Sequence, residues 1–114
     1  MYYSIIIPVY NELPTLKKLL SGLKRFYDQN NEIIIIDDGS NDSSWSIIEE
    51  IAKSNLNIKG ISFNRNYGKS QALRVGFFEA KGEYVATLDA DLQDSPEEIP
   101  IMINKLIESN LDMV

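Results

Sequence analysis

The chain has 114 residues, the size of one ordinary domain, with 44% apolar and 25% charged side chains. Lys and Arg number 11 and Asp and Glu 17, so the net charge is −6 and the chain carries no basic footprint for nucleic acid or anionic lipid. Cysteine and histidine are both absent, which excludes disulfides, thiolate nucleophiles, zinc–thiolate sites, a Ser-His-Asp triad and a histidine general base. A metal held by this chain takes oxygen ligands, the donor set of Mg²⁺, Mn²⁺ or Ca²⁺.

In chain order, the first element is a β-rich run from Ser4 to Val9, followed by a stripe of Leu13, Leu16, Leu19, Leu20, Leu23 and Phe26 at helical spacing. Pro14 suits the first turn of that helix, where its missing N–H costs nothing. A second run, Glu32 to Ile36, precedes a helix marked by Trp45, Ile48, Ile51 and Ala52, with Asp42 or Ser43 as its cap and Trp45 read as a core residue. The third run is Ile58 to Phe63, and its helix carries Leu73, Gly76, Phe77 and Ala80. The fourth is Glu83 to Leu88, with a stripe of Ile99, Met102, Ile103, Leu106 and Ile107 beyond it. Ser95-Pro96-Glu97-Glu98 matches a capping box for this last helix, while Pro100 distorts its second turn.

Counted from Ser4, Glu32, Ile58 and Tyr84, the runs recur at intervals of 28, 26 and 26 residues, the size of a βαβ crossover. The first two are nearly continuous Ile and Val, as in parallel strands buried on both faces. The expected fold class is α/β, a Rossmann-like three-layer αβα arrangement with a mainly parallel sheet. Leu111 to Val114 reads as the entry to a fifth strand, so residues 1–114 are expected to be a piece of a longer protein. The longest aliphatic run, Ile33 to Ile36, is far short of the roughly 20 residues a membrane helix needs, and a cytoplasmic location is the expectation.

In an open parallel sheet, ligands bind beyond the carboxyl ends of the strands. Each run here is followed by polar residues: Tyr10-Asn11-Glu12, Asp37 to Asp42, Asn64 to Ser70, and Asp89-Ala90-Asp91-Leu92-Gln93-Asp94. All four clusters are expected on one sheet edge. Asp89 and Asp91 sit two apart where an extended chain leaves the sheet and project to the same side, suited to bridging a divalent cation to a diphosphate, and Gln93 adds a neutral oxygen. Asp37 and Asp38 precede a turn at Gly39. A carboxylate there either accepts from a nucleobase N–H or ribose hydroxyl, or caps the following turn and helix. Glu12 likewise either caps its own helix or binds a sugar hydroxyl. Arg65, Lys69 and Arg74 bring positive charge to an acidic edge. Lys69 stands near a helix start suited to phosphate, and Arg74 reads as a surface charge. Neither a Walker P-loop nor a Gly-x-Gly-x-x-Gly dinucleotide fingerprint is present.

Taken together, Pro8-Val9-Tyr10-Asn11-Glu12, Asp37-Asp38-Gly39-Ser40-x-Asp42, Arg65-Asn66-x-Gly68-Lys69 and Asp89-Ala90-Asp91-Leu92-Gln93-Asp94 resemble the family 2 glycosyltransferases of GT-A fold. The string from Asp89 to Glu97 is similar to the polyprenyl-phosphate, dolichyl-phosphate mannose synthase-like branch, with Ser95 where that branch carries Pro. The resemblance covers essentially the whole chain and implies its nucleotide-sugar-binding half. It places Pro8, Tyr10 and Glu12 around the nucleoside, Asp38 on the base, and Arg65 and Lys69 near the nucleotide. Asp89-Ala90-Asp91 would lie at the ribose and diphosphate, with Asp91, Gln93 and Asp89 around Mg²⁺ or Mn²⁺ and the two aspartates serving catalysis.

The implied reaction is inverting transfer of a sugar from a UDP- or GDP-linked donor to a polyprenyl phosphate. A soluble or cell-wall carbohydrate acceptor is the alternative, and it needs a carboxylate base beyond residue 114. Acceptor site and any membrane helices would also lie beyond that residue, so that the longer protein would work at the cytoplasmic face of the membrane and this piece alone would be inactive. Two remoter readings compete. A haloacid-dehalogenase-like phosphatase also uses Asp-x-Asp, but it wants Thr or Val at the position of Gln93. A phospho-receiver domain has paired acids like Asp37-Asp38, but it needs an aspartate where Asn64-Arg65 stand.

Overall fold

The computed structural model describes residues 3–22, 31–82 and 84–88. Among the described residues four strands and three helices alternate: β1 Tyr3–Val9, α1 Leu13–Gly22, β2 Asn31–Asp37, α2 Ser44–Ser54, β3 Ile58–Ser62, α3 Lys69–Glu79 and β4 Tyr84–Thr87. The strands form one sheet in the order β3-β2-β1-β4, and each neighbouring pair is parallel. Every strand therefore delivers its carboxyl end to the same edge, as the repeat of β-rich runs predicts. Among the described residues no helix is long and apolar enough to cross a membrane.

Side-chain alternation divides the core into two layers. Ile5, Ile7 and Val9 of β1 join Ile33 and Ile35 of β2 beneath Leu16 and Leu20 of α1 and Ile48 of α2. Trp45 packs against this layer as a partly buried residue of α2. On the opposite face Ile6, Ile34 and Ile36 meet Ala72 and Leu73 of α3. β2 is buried along its whole length, which accounts for its unbroken Ile run. Each fully buried Ile contributes about 1.5–3 kcal/mol relative to exposure.

α3 lies close on its layer because residue 76 is glycine. A Cβ there would stand 2.4 Å from Cγ2 of Ile6 and 2.9 Å from Cδ1 of Ile36. The third stripe differs from expectation at Phe77, which is 52% exposed. The buried contact of α3 runs through Ala72 and Gly76 instead, and this close seating turns Phe77 outward.

The sheet order places β4 beside β1 rather than beyond β3, so the connection through α3 crosses the sheet. This is the strand-order reversal at which open α/β sheets bind ligands. Two features set β4 in place. At the amino edge the buried Ser4 hydroxyl donates to Glu32 Oε2 (2.6 Å) and accepts from the Gly82 amide (2.8 Å), while the Lys81 amide donates to the same carboxylate (2.9 Å). At the other end the Leu88 amide donates to the Ile6 carbonyl at 2.9 Å. Pro8 lies two residues further along β1, past the last described β1–β4 pair, Ile6–Thr87. Its missing N–H therefore removes no bond of the described β1–β4 ladder, although β1 is an inner strand.

Leu23 and Phe26 of the first stripe, Asp89, Ala90, Asp91 and Gln93, the Ser95 capping box, the fourth helix and the fifth strand all lie outside the described residues.

Candidate functional site

Three polar loops follow β1, β2 and β3 on the carboxyl edge, and hydrogen bonds tie each to the next. β1 ends at Val9, whose carbonyl accepts the Asp38 amide at 2.8 Å. Tyr10 is 41% exposed at the rim. Its amide donates to Glu12 Oε1 at 3.0 Å. The Glu12 carbonyl accepts the Leu16 amide (2.8 Å) and the Thr15 hydroxyl (3.1 Å), opening α1. The Glu12 carboxylate thus turns back onto the loop.

Asn11 adopts φ 51°, left-handed backbone that asparagine tolerates better than most residues. In this conformation its amide donates to the Ser40 hydroxyl (2.8 Å), and its Oδ1 accepts the amides of Asn41 (2.7 Å) and Asp42 (3.3 Å). Asp42 completes the link, because its Oδ2 accepts the Leu13 amide at 3.4 Å while its Oδ1 accepts the Ser44 amide at 2.9 Å. One carboxylate therefore serves the starts of both α1 and α2, and the cap of α2 is Asp42 rather than the Ser43 side chain, which makes no capping bond. Burial raises the Asp42 carboxyl, but hydrogen bonding from Ser44 and the Leu13 amide outweighs it and holds the group below its usual 3.8.

The paired acids divide their work. Asp37 accepts the Ser40 amide (3.2 Å) and the Ser40 hydroxyl on Oδ1, closing the turn after β2. Asp38 reaches the other way, to the loop between β3 and α3. Its Oδ1 accepts the Tyr67 amide (2.8 Å), and its Oδ2 accepts the Gly68 amide and the Asn66 side-chain amide (both 3.0 Å). Gly39 lets the two loops meet. It has φ +76°, and a Cβ there would lie 2.3 Å from the Arg65 carbonyl carbon.

Arg65 and Lys69 both stand exposed on this loop and the first turn of α3. The Arg65 guanidinium lies 4.7 Å from the Tyr67 ring centroid, a cation–π contact. The Tyr67 ring in turn meets Phe63 edge-on at 5.6 Å. Arg74 is an exposed side chain of α3, as its surface reading expects.

Pro8, Tyr10, Glu12, Asp38, Arg65 and Lys69 therefore share the carboxyl edge, and β4 brings residue 88 to that edge beside β1. Asn11, Ser40 and Asn66, which join the loops, were not singled out by sequence reasoning. An asparagine two residues past a strand, where left-handed backbone is common, is the signal that points to Asn11. Among the described residues no group of three acids can hold a metal ion. Asp89, Asp91 and Gln93 carry oxygen donors, and the chain has neither thiolate nor imidazole, a donor set that suits a hard divalent cation.

A parallel sheet covered on both faces, with its polar loops on one edge at the strand-order reversal, defines an open α/β domain of the kind that binds ligands at that edge. Residues 4–114 match the family described as Glycosyl transferase family 2, and the chain belongs to that family. It is 46% identical over 109 residues to the undecaprenyl-phosphate 4-deoxy-4-formamido-L-arabinose transferase of Aeromonas hydrophila, covering 92% of this chain and 33% of the relative. The protein of the same name from Shewanella sediminis is 45% identical over 111 residues, covering 94% and 34%. The chain thus spans about a third of the length of these relatives.

Among solved structures, S. aureus TarS 1-349 in complex with UDP-GlcNAc superposes with a TM-score of 0.73 at 26% identity, over 95% of this chain and 32% of that one. The mannosyltransferase PcManGT from Pyrobaculum calidifontis, in complex with GDP-Man and Mn²⁺, gives 0.67 at 25% identity, over 78% and 27%. The fold is that of GT-A glycosyltransferases.

Proposed function

We propose that this chain is the nucleotide-sugar-binding part of a metal-dependent, inverting glycosyltransferase that moves a sugar from a UDP- or GDP-linked donor to polyprenyl phosphate. The observation that carries the reading is the convergence of the β1, β2 and β3 loops on one edge, beside the strand that leads into Asp89-Ala90-Asp91. The similarity to named undecaprenyl-phosphate transferases supports the acceptor class, and the nucleotide complexes of the structural neighbours support the donor class.

In this reading Pro8, Tyr10 and Glu12 border the nucleoside, and Arg65 and Lys69 bring positive charge to the nucleotide. Asp91, Gln93 and Asp89 hold Mg²⁺ or Mn²⁺, with Asp89 and Ala90 against the ribose and diphosphate. When bound, the metal offsets the charge that builds on the departing nucleoside diphosphate. A phosphate acceptor is already an anion, so no strong base is required of this chain. The whole protein would meet its lipid acceptor at the cytoplasmic face of a membrane.

Calorimetric titration of UDP and GDP into the chain tests the reading. One of the two binds with Mn²⁺ or Mg²⁺ present and loses most of its affinity in excess EDTA. Equal affinity in both buffers, or no uptake of either nucleotide, contradicts it.

A further inference from the structure

We infer that Asp38 is a positioning residue, whose carboxylate holds the loop between β3 and α3 and thereby sets where Arg65 and Lys69 stand on the carboxyl edge. The consequence for ligand binding rests on the proposed function, whereas the clamp itself is a property of the ligand-free chain.

Asp38 is 3% exposed. Burying a carboxylate costs free energy unless donors satisfy its oxygens. The donors come from three consecutive residues: the Asn66 side-chain amide, the Tyr67 backbone amide and the Gly68 backbone amide, at 3.0, 2.8 and 3.0 Å. They occupy three of about four acceptor sites on the two oxygens. Asn66 also donates to the Asp38 carbonyl at 3.1 Å.

The anchor end of the clamp is firm, because the Asp38 amide donates to Val9 and extends the β1–β2 ladder by one residue. At the far end Asn64, Arg65, Asn66 and Tyr67 are all exposed, and their side chains support one another through the Tyr67 hydroxyl on Asn64 and the Arg65–Tyr67 contact, with the Tyr67 ring against Phe63. Arg65 immediately precedes the clamped residues and Lys69 immediately follows them, so their backbone positions are inherited from Asp38. A nucleobase contact by Asp38, as the resemblance implies, would have to use the single acceptor site left over.

Amide hydrogen exchange on the ligand-free 114-residue chain reads the clamp directly. In wild type the Tyr67 and Gly68 amides are protected. In Asp38→Asn, which keeps the side-chain size, they exchange about tenfold faster, while Ile34 to Ile36 keep their protection. Nucleotide titrations with Mn²⁺ then read the consequence. Asp38→Asn weakens UDP and CDP by about the same factor, roughly fivefold. Arg65→Ala weakens both in wild type but adds nothing in the Asp38→Asn background, because the guanidinium is already misplaced.

Unprotected Tyr67 and Gly68 amides in wild type, or unchanged exchange in Asp38→Asn, overturn the proposal. So does a loss confined to UDP, whose base carries the imide N–H that cytosine lacks. Should Asp38→Asn fail to fold, Asn66→Ala decides by a smaller increase at the same two amides, and unchanged exchange there overturns the proposal. A wild-type chain that binds neither UDP nor GDP removes the proposed function but leaves the exchange result to judge the clamp.

Discussion

The Asn11 amide and the Ser40 hydroxyl meet at 2.8 Å although 29 residues separate them. This bond fastens the loop after β1 to the loop after β2, and the Asn11 side chain adds two more bonds to Asn41 and Asp42. Asn11→Ala removes both acceptor bonds and leaves a Cβ-bearing residue with no polar compensation at φ 51°. The expected cost is about 1–2 kcal/mol, read as a lower urea midpoint at unchanged slope. Asn11→Gly relieves the backbone while still losing the acceptor, so its midpoint falls between the two.

Gly39 meets the loop after β3 more tightly than any side chain permits. In Gly39→Ala the new Cβ would strike the Arg65 carbonyl carbon from 2.3 Å, at a φ of +76°. Backbone must move, so the loss of stability exceeds about 2 kcal/mol in denaturant unfolding. Gly76→Ala, which crowds the side chains of Ile6 and Ile36, costs about 1–3 kcal/mol, partly offset by about 1 kcal/mol of helix propensity. A Gly39→Ala variant as stable as wild type contradicts the close approach of the two loops.

Asp42 gives the molecule an acid-side signature. Its folded-state carboxyl lies below the usual 3.8, so the stabilisation is fully present above that pH and is lost as pH falls through the lowered value. Thermal midpoints of wild type and Asp42→Asn are therefore expected to differ near neutral pH and to converge in strong acid. A difference that persists unchanged at the acid end contradicts the role of the charge. The residue is exposed, so the effect is modest.

Much of this architecture is legible in the residues themselves. The Ile-rich runs of β1 and β2 specify parallel strands buried on both faces, the recurrence of β-rich runs every 26 to 28 residues specifies the βαβ repeat, and parallel strands place their trailing polar residues on one edge. The placement of β4 beside β1 is not legible locally, because it depends on which face α3 crosses and how closely Gly76 lets it seat. The division of labour between Asp37 and Asp38 is hidden for a similar reason. Both residues suit a turn, and only the tertiary approach of residues 66–68 separates the local cap from the long-range clamp. Phe77 shares the spacing of the buried stripe yet faces outward, since helical period fixes a face only to within a residue's breadth.

Of the acids expected to hold the metal, Asp91 is the one whose loss is expected to abolish metal dependence. Asp91→Ala should bind nucleotide equally weakly with Mn²⁺ and with EDTA, while Lys17→Ala, an exposed residue of α1, should behave as wild type. Identical behaviour of the two variants in calorimetry contradicts the assignment of this edge.

The most direct measurement uses the paramagnetism of Mn²⁺ itself. In amide spectra of the labelled chain with nucleoside diphosphate, substoichiometric Mn²⁺ should broaden Tyr10, Ser40, Tyr67 and Gly68 far more than Lys81 and Gly82, whose amides bond Glu32 and Ser4 at the opposite edge. Stronger broadening at Lys81 and Gly82, or uniform broadening over both edges, would place the ion elsewhere and contradict the account.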